Sequence, residues 1–354
     1  MKKATLILSL TLILGTLACS STTPLPTPSP APAIETTLLP APDSVSPEPQ
    51  ASGRMTSPAV AVSVPAGLRV VYLREGNLWS WTDATGVVLL TDTGDISTLR
   101  LSSDGQTLAY TRGSEVWMVG MDGQNARLLA TQKSERGALW FTPNGSLLAV
   151  STQDHINVIN LQDANSTTVM AYPTIQDNYA PQVVWTPDAS GFKTVIPPQT
   201  ETGQAEFLFV FTNGTVANLA KFALVPLSVS LPYISPDGGY IIYAAKLNDG
   251  NESLYLMDSS GATKPYGEAA SRVRALGWLP DSQHFAYTFD DSARTFIGSV
   301  NEPSVEITLG RYQTLRWVNG EHFLGLQAGS LYLGDLNNEK TLIDMQVSDF
   351  DFDK

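Results

Sequence analysis

Basic side chains are scarce in this chain: 21 lysines and arginines stand against 34 aspartates and glutamates in 354 residues, a formal net charge of −13. Lys2 and Lys3 sit at the N-terminus, so the remaining 19 basic residues leave everything after that leader near −15. A field of that sign repels phosphate backbones and anionic lipid heads, which argues against nucleic acid as a partner. Histidine is nearly absent, with only His155, His284 and His322, and cysteine occurs once, as Cys19. The three histidines fall at unrelated places in the repeat described below and do not converge on a metal centre. No segment after residue 67 sustains a 3.6-residue apolar period, which excludes an α/β companion domain. Gly-x-Ser-x-Gly elbows, glycine-rich phosphate loops and Ser-x-Asp-x-Gly-x-Thr-Trp boxes are all missing. With none of these devices, no catalytic residue, cofactor or metal ligand can be nominated, and the expectation is a protein that is not an enzyme.

What is present begins at the N-terminus. Lys2 and Lys3 precede the uncharged run Ala4 to Ala18. Fifteen residues are too few for a membrane span of about 20 and match the h-region of an export signal. The run ends in Gly15-Thr16-Leu17-Ala18-Cys19, which resembles the lipobox of bacterial lipoproteins, with Thr16 where that family usually has leucine. The resemblance implies a signal peptide over residues 1–18 and lipidation of Cys19. It implies export and a lipid anchor on the extracytoplasmic side of a membrane, in the periplasm or at the cell surface.

Between Ser20 and Ala66 lie eleven of the 23 prolines, with almost no aromatic residue. Such a composition cannot bury a core and reads as a disordered tether over residues 19–66. In polyproline geometry it would reach more than about 100 Å. Residues 67–354 are then long enough for one large all-β domain.

That domain is built on a repeated turn. Ser102-Ser103-Asp104-Gly105, Thr142-Pro143-Asn144-Gly145, Thr186-Pro187-Asp188-Ala189, Ser235-Pro236-Asp237-Gly238, Leu279-Pro280-Asp281-Ser282 and Trp317-Val318-Asn319-Gly320 recur at steps of 40, 44, 49, 44 and 38 residues. Proline pre-sets φ, Asp or Asn bonds its own backbone, and glycine accepts positive φ. A strand follows each turn, for example Tyr240 to Ala244, and third strands such as Ser253 to Met257 come after. A period of this length with several short strands per unit is the signature of a four-stranded propeller blade.

Six turns give six blades, and the ends supply another. Arg69 to Glu75, Asn77 to Trp81 and Val87 to Asp92 read as the second, third and fourth strands of a blade without a first. Val347 to Phe352 matches the first strand Ile96 to Leu101, apolar position for apolar position. The prediction is a seven-bladed β-propeller closed by the C-terminal strand pairing into the first blade, which removes two open sheet edges. Asp349, Asp351 and Asp353 alternate on that strand and share a side, which is unexpected for an innermost strand. They are expected to face water at a terminal strand; the alternative is that they line the central channel and hold a cation.

The Ser-Pro-Asp-Gly turns, with Trp185, Trp278 and Trp317 just upstream, resemble the TolB-like, WD-repeat-like propellers of bacterial envelopes over about 290 residues. TolB itself has six blades and an extra N-terminal domain, and this chain departs from it in both respects. The resemblance implies a protein-interaction or ligand-recognition module whose partner is an envelope protein or a small extracytoplasmic ligand. The alternative is an extracytoplasmic enzyme or carbohydrate-binding protein using the central pocket.

The tight turns mark one face of the ring, and the longer connections lie on the other: Ala171 to Pro181, Pro197 to Ala205, Lys221 to Pro232 and Lys246 to Glu252. Loops on a rigid scaffold carry binding residues. The candidate binding face is therefore Tyr172, Gln176, Asp177, Asn178, Tyr179, Asn248 and Asp249. Asn248 to Glu252 has oxygen ligands around Gly250 but lacks calcium-loop spacing and reads as a plain turn. Trp117, Trp140, Trp185, Trp278 and Trp317 are expected in the packing between blades, and Trp79 and Trp81 in the first blade.

Overall fold

The computed structural model describes residues 62–353 apart from 134–136, 176–178, 199, 201–202, 228–229, 290–294, 302–304, 308 and 310–311, with backbone only at 305–307. The leader, Cys19 and most of the proline-rich segment therefore lie outside the described residues. Among the described residues every regular element is a strand, and the 28 strands form seven antiparallel sheets of four. Six sheets run in simple chain order. The seventh is composite: the C-terminal strand Val347–Asp353 pairs antiparallel with Arg69–Arg74, setting Phe352 opposite Val70 and Phe350 opposite Tyr72. The ring closes as the apolar pattern predicts. We number the composite sheet blade one and the others two to seven along the chain.

Each blade's second strand explains the uninterrupted apolar runs. In blade five, Ile241, Tyr243 and Ala245 pack toward blade four, while Ile242 and Ala244 pack toward blade six. Both faces of the strand are covered, so alternation disappears from the sequence. The apolar core is accordingly divided into seven clusters, one for each interface between neighbouring blades. The cluster between blades seven and one holds Tyr72, Leu324, Leu333, Val347 and Phe350, so the C-terminal strand completes it. Val62 is buried in the same cluster, and Ser63 Oγ lies 3.4 Å from His322 Nε2. The last residues of the segment read as tether thus lie against the blades.

The repeated turns are held by their own side chains. Ser235 Oγ donates to Asp237 Oδ1 at 2.6 Å, and that oxygen also accepts the Gly239 amide at 2.8 Å. Ser102 and Asp104 repeat the pattern at 2.6 Å, and Thr186 and Asp188 at 2.7 Å. The hydroxyl beside each carboxylate holds Asp104 and Asp188 below the usual carboxylate range. The residue after the Asp or Asn has positive φ, as at Gly105 (65°), Gly145 (66°) and Gly238 (69°). Ala189 (57°) and Ser282 (58°) adopt it without being glycine. The turn at Asn319 is shorter by one residue, because Val318 N bonds directly to His322 O at 2.9 Å.

Candidate functional site

Strand register identifies one position that recurs around the channel. Arg100, Trp140, Val184, Tyr233, Gly277 and Arg316 pair respectively with Ala109, Ala149, Lys193, Ile242, Ala286 and Leu324 on the second strands. Blade one contributes Asp351, opposite Val71. All but Val184 line a central cavity of about 710 Å³. The cavity extends from the turns at Pro236 and Pro280 to Tyr179 and the segment Leu231–Pro232 before blade five. Trp278 and Trp317 complete its aromatic wall.

One sector of this channel is ionic. Asp351 Oδ1 lies 3.4 Å from Arg100 Nη1 and 3.2 Å from Arg316 Nη1, and Asp349 Oδ1 lies 3.5 Å from Arg316 Nη2. The same carboxylates cap the inner edge of blade two: Leu101 N donates to Asp351 at 2.9 Å and Leu99 N to Asp349 at 3.4 Å. An innermost strand has no further strand to accept its amides, and these aspartates serve instead. Gln182 and Ser230 do likewise for Ile234 N and Ala275 N. This corrects the expectation that Asp349 and Asp351 face water. Asp351 lines the cavity with Asp349 beside it on the same side of the strand, and the cations they meet are arginines. Burial pushes the Arg100 guanidinium down from its ordinary value and the Asp349 carboxyl up, against the attraction of their partners.

Arginines also tie blade to blade. Arg100 Nε donates to Leu139 O at 3.0 Å, Arg274 Nη2 to Tyr312 O at 3.3 Å, and Arg316 Nη1 to Phe350 O at 2.5 Å. Trp185 Nε1 and Trp278 Nε1 make the reverse connection, to Trp140 O at 3.0 Å and Tyr233 O at 2.9 Å. Trp317 is their register equivalent, and its Nε1 has no partner among the described residues. The acceptor position it would use is Gly277, where a bulge and a φ of 124° redirect the backbone.

The sequence candidates divide. Tyr179 lines the cavity, and burial raises its hydroxyl, with Tyr233 nearby. Tyr172 lies on the same face but is spent on structure, donating to Thr152 O at 2.8 Å. Asn248 and Asp249 are exposed outside the cavity, and Asp249 closes its turn onto Asn251 N at 3.0 Å. Gln176, Asp177 and Asn178 lie outside the described residues. Of the tryptophans, Trp185 and Trp317 are buried between blades, as expected. Trp140, Trp278 and Trp317 also line the cavity, which the packing argument did not foresee. Arg100, Arg274 and Arg316 were not singled out by sequence. Their signal is a cation on an innermost strand that otherwise reads as core.

The sequence matches no protein-family model and no curated protein. Solved structures with a similar fold include TolB from Acinetobacter baumannii, at 15% identity and a TM-score of 0.46 over 80% of this chain. The chain spans 66% of the length of that TolB, just under two thirds. A nidogen/laminin complex is similar over 81% of this chain and 98% of its own, at 9% identity and a TM-score of 0.45. Kuenenia stuttgartiensis hydrazine synthase is similar over 70% of this chain and 78% of its own, at 16% identity and a TM-score of 0.48. By its own topology the chain is a seven-bladed β-propeller.

Proposed function

We propose that this protein is a membrane-anchored extracytoplasmic lipoprotein whose propeller recognises an envelope protein or a small ligand without chemical turnover. The observation that carries the recognition role is the central cavity of about 710 Å³, with aromatic and guanidinium walls. Its size and mixed lining suit a binding site. Among the described residues the lining includes no histidine, cysteine, lysine or glutamate, and its one carboxylate, Asp351, is held by two arginines. Support for the anchor is the sequence from Lys2 to Cys19.

Recognition is tested by affinity capture from envelope extract with the wild-type chain and with a Tyr179→Ala, Trp278→Ala variant. A specific partner or ligand retained by the first and lost by the second is expected. Identical capture by both would sink the assignment to the cavity. The anchor is tested by radioactive palmitate labelling, with Cys19→Ser expected to lose both label and membrane retention.

A further inference from the structure

The central cavity carries an unequal set of charges. Three guanidiniums line it, those of Arg100, Arg274 and Arg316, beside the carboxylates of Asp349 and Asp351. The carboxylates are both committed to Arg100 and Arg316. Arg274 has one acceptor, the Tyr312 carbonyl at 3.3 Å, and no carboxylate within ion-pairing distance among the described residues. Among the described residues its Nε is buried without a partner. So are Trp140 Nε1 and Trp317 Nε1, on two other residues of the cavity wall. All three unsatisfied groups are donors, and a buried donor left unpaired is costly. In a chain whose net charge is −13, this pocket is a local reversal of sign.

Resting on the reading of this cavity as a recognition site, we propose that it takes a small organic carboxylate, with the anion on Arg274 and an apolar or aromatic body against Tyr179, Tyr233 and Trp278. A carboxylate supplies the counter-charge that Arg274 lacks among the described residues, and guanidinium matches it with two parallel N–H donors. The Tyr233 hydroxyl, raised by burial, is drawn the other way by Arg274 and Arg316, which line the same cavity. A flat body would have ring faces to stack on, and a volume of about 710 Å³ admits more than a bare ion.

Isothermal titration of the purified full-length chain with 1-naphthylacetate, 1-naphthylacetamide and 1-naphthylmethylamine tests this. These share one body and differ in charge. The acid binds saturably and at least about tenfold more tightly than the amide, as a charge-assisted pair in a shielded site requires, and the amine binds most weakly. Arg274→Met removes the preference for acid over amide. Arg274→Lys keeps most of it, which separates loss of charge from loss of fold, and thermal melts of both variants are recorded alongside.

Equal affinity for acid and amide, or an acid preference that survives Arg274→Met, overturns the proposal. So does the absence of saturable binding by any probe. If all three bind alike and lose affinity together in Tyr179→Ala, Trp278→Ala, the anion assignment falls while the recognition cavity stands. If no probe binds and the same double substitution leaves envelope capture unchanged, both readings fall.

Discussion

Removing the ring of Phe350 is the most direct probe of how this propeller closes. Phe350 has no exposed surface and sits in the cluster joining blades seven and one, with Tyr72, Leu324 and Leu333. The Arg316 guanidinium lies 5.0 Å from its ring centre. Phe350→Ala deletes that ring from a site whose other walls are fixed by two sheets, so the cavity cannot collapse fully. A buried Phe→Ala change costs about 3–5 kcal/mol under such conditions. At about 2–3 °C per kcal/mol for a domain of this size, the thermal midpoint falls by roughly 6–15 °C. Phe352→Ala, two residues along on the same face and only partly buried, costs less, about 1–2 kcal/mol.

Urea unfolding of wild type and both variants, followed by far-ultraviolet circular dichroism, measures the difference. Deleting residues 347–354 should be more severe than either substitution, because it also exposes the edges of Arg69–Arg74 and strips Leu99 and Leu101 of their aspartate acceptors. Exposed edges aggregate, so that deletion should lower soluble yield as well. A Phe350→Ala cost under about 1 kcal/mol, or a deletion that melts like wild type, would refute closure by the C-terminal strand.

Three further outcomes follow from the structure. Ala189→Gly should stabilise by about 0.5–1 kcal/mol, since Ala189 holds a φ of 57° that glycine adopts freely; Ser282→Gly should not, because Ser282 Oγ accepts the Asp237 amide at 3.0 Å, and chemical denaturation separates the two. Asp351→Ala should cost about 3–5 kcal/mol by leaving Arg100 and Arg316 facing each other without their shared carboxylate, while a neutralised pair Arg100→Met, Asp351→Leu should cost less than the sum of its single changes, as a double-mutant cycle would show. The depressed carboxyls of Asp104, Asp188 and Asp258 contribute stability that is complete above the unfolded value of 3.8 and is lost as pH falls through their lower folded values; Asp349, raised by burial, works in the opposite sense, favouring the folded state as it protonates. A melting profile should therefore show no loss of stability from neutrality down to about pH 5 and fall only below about pH 4; a steep loss near pH 6 would contradict it.

The blades were legible because their signals are local. The run Ile241-Ile242-Tyr243-Ala244 after a Ser-Pro-Asp-Gly turn specifies a doubly buried strand by itself, and the structure places that strand at Tyr240–Lys246. Closure was legible for a related reason: Val347 to Phe352 repeats the apolar spacing of Ile96 to Leu101, so the missing first strand could be recognised by pattern. The alternating Asp349 and Asp351 obeyed a different demand. Their side of the strand faces the channel, where two arginines and two inner-edge amides wait, and none of those four partners lies within 25 residues of either aspartate. Local hydropathy cannot register a partner supplied by ring closure.

The same limit explains why the residues that wall the central pocket were not singled out. In any single repeat, Arg100, Trp140 or Tyr233 is one residue on a short strand beside a turn, and its neighbours Leu101, Phe141 and Ile234 mark it as part of a packed sheet. Only the pairing register shows that Arg100, Trp140, Tyr233, Gly277, Arg316 and Asp351 occupy one position and meet at one axis. A position that were purely structural in a repeating fold would converge on one residue type, as the turn position has on Asp or Asn. This one holds two cations, an anion, two aromatics and a glycine around a single space, with a valine at the seventh place outside it. Departure from the repeat, concentrated where the repeats converge, is what a site grafted onto a uniform scaffold produces. The bulge at Gly277 adds to it, since it leaves Trp317 Nε1 without the carbonyl that Trp185 and Trp278 each find in the preceding blade. The scaffold was readable from one repeat, whereas the site exists only in the differences among seven.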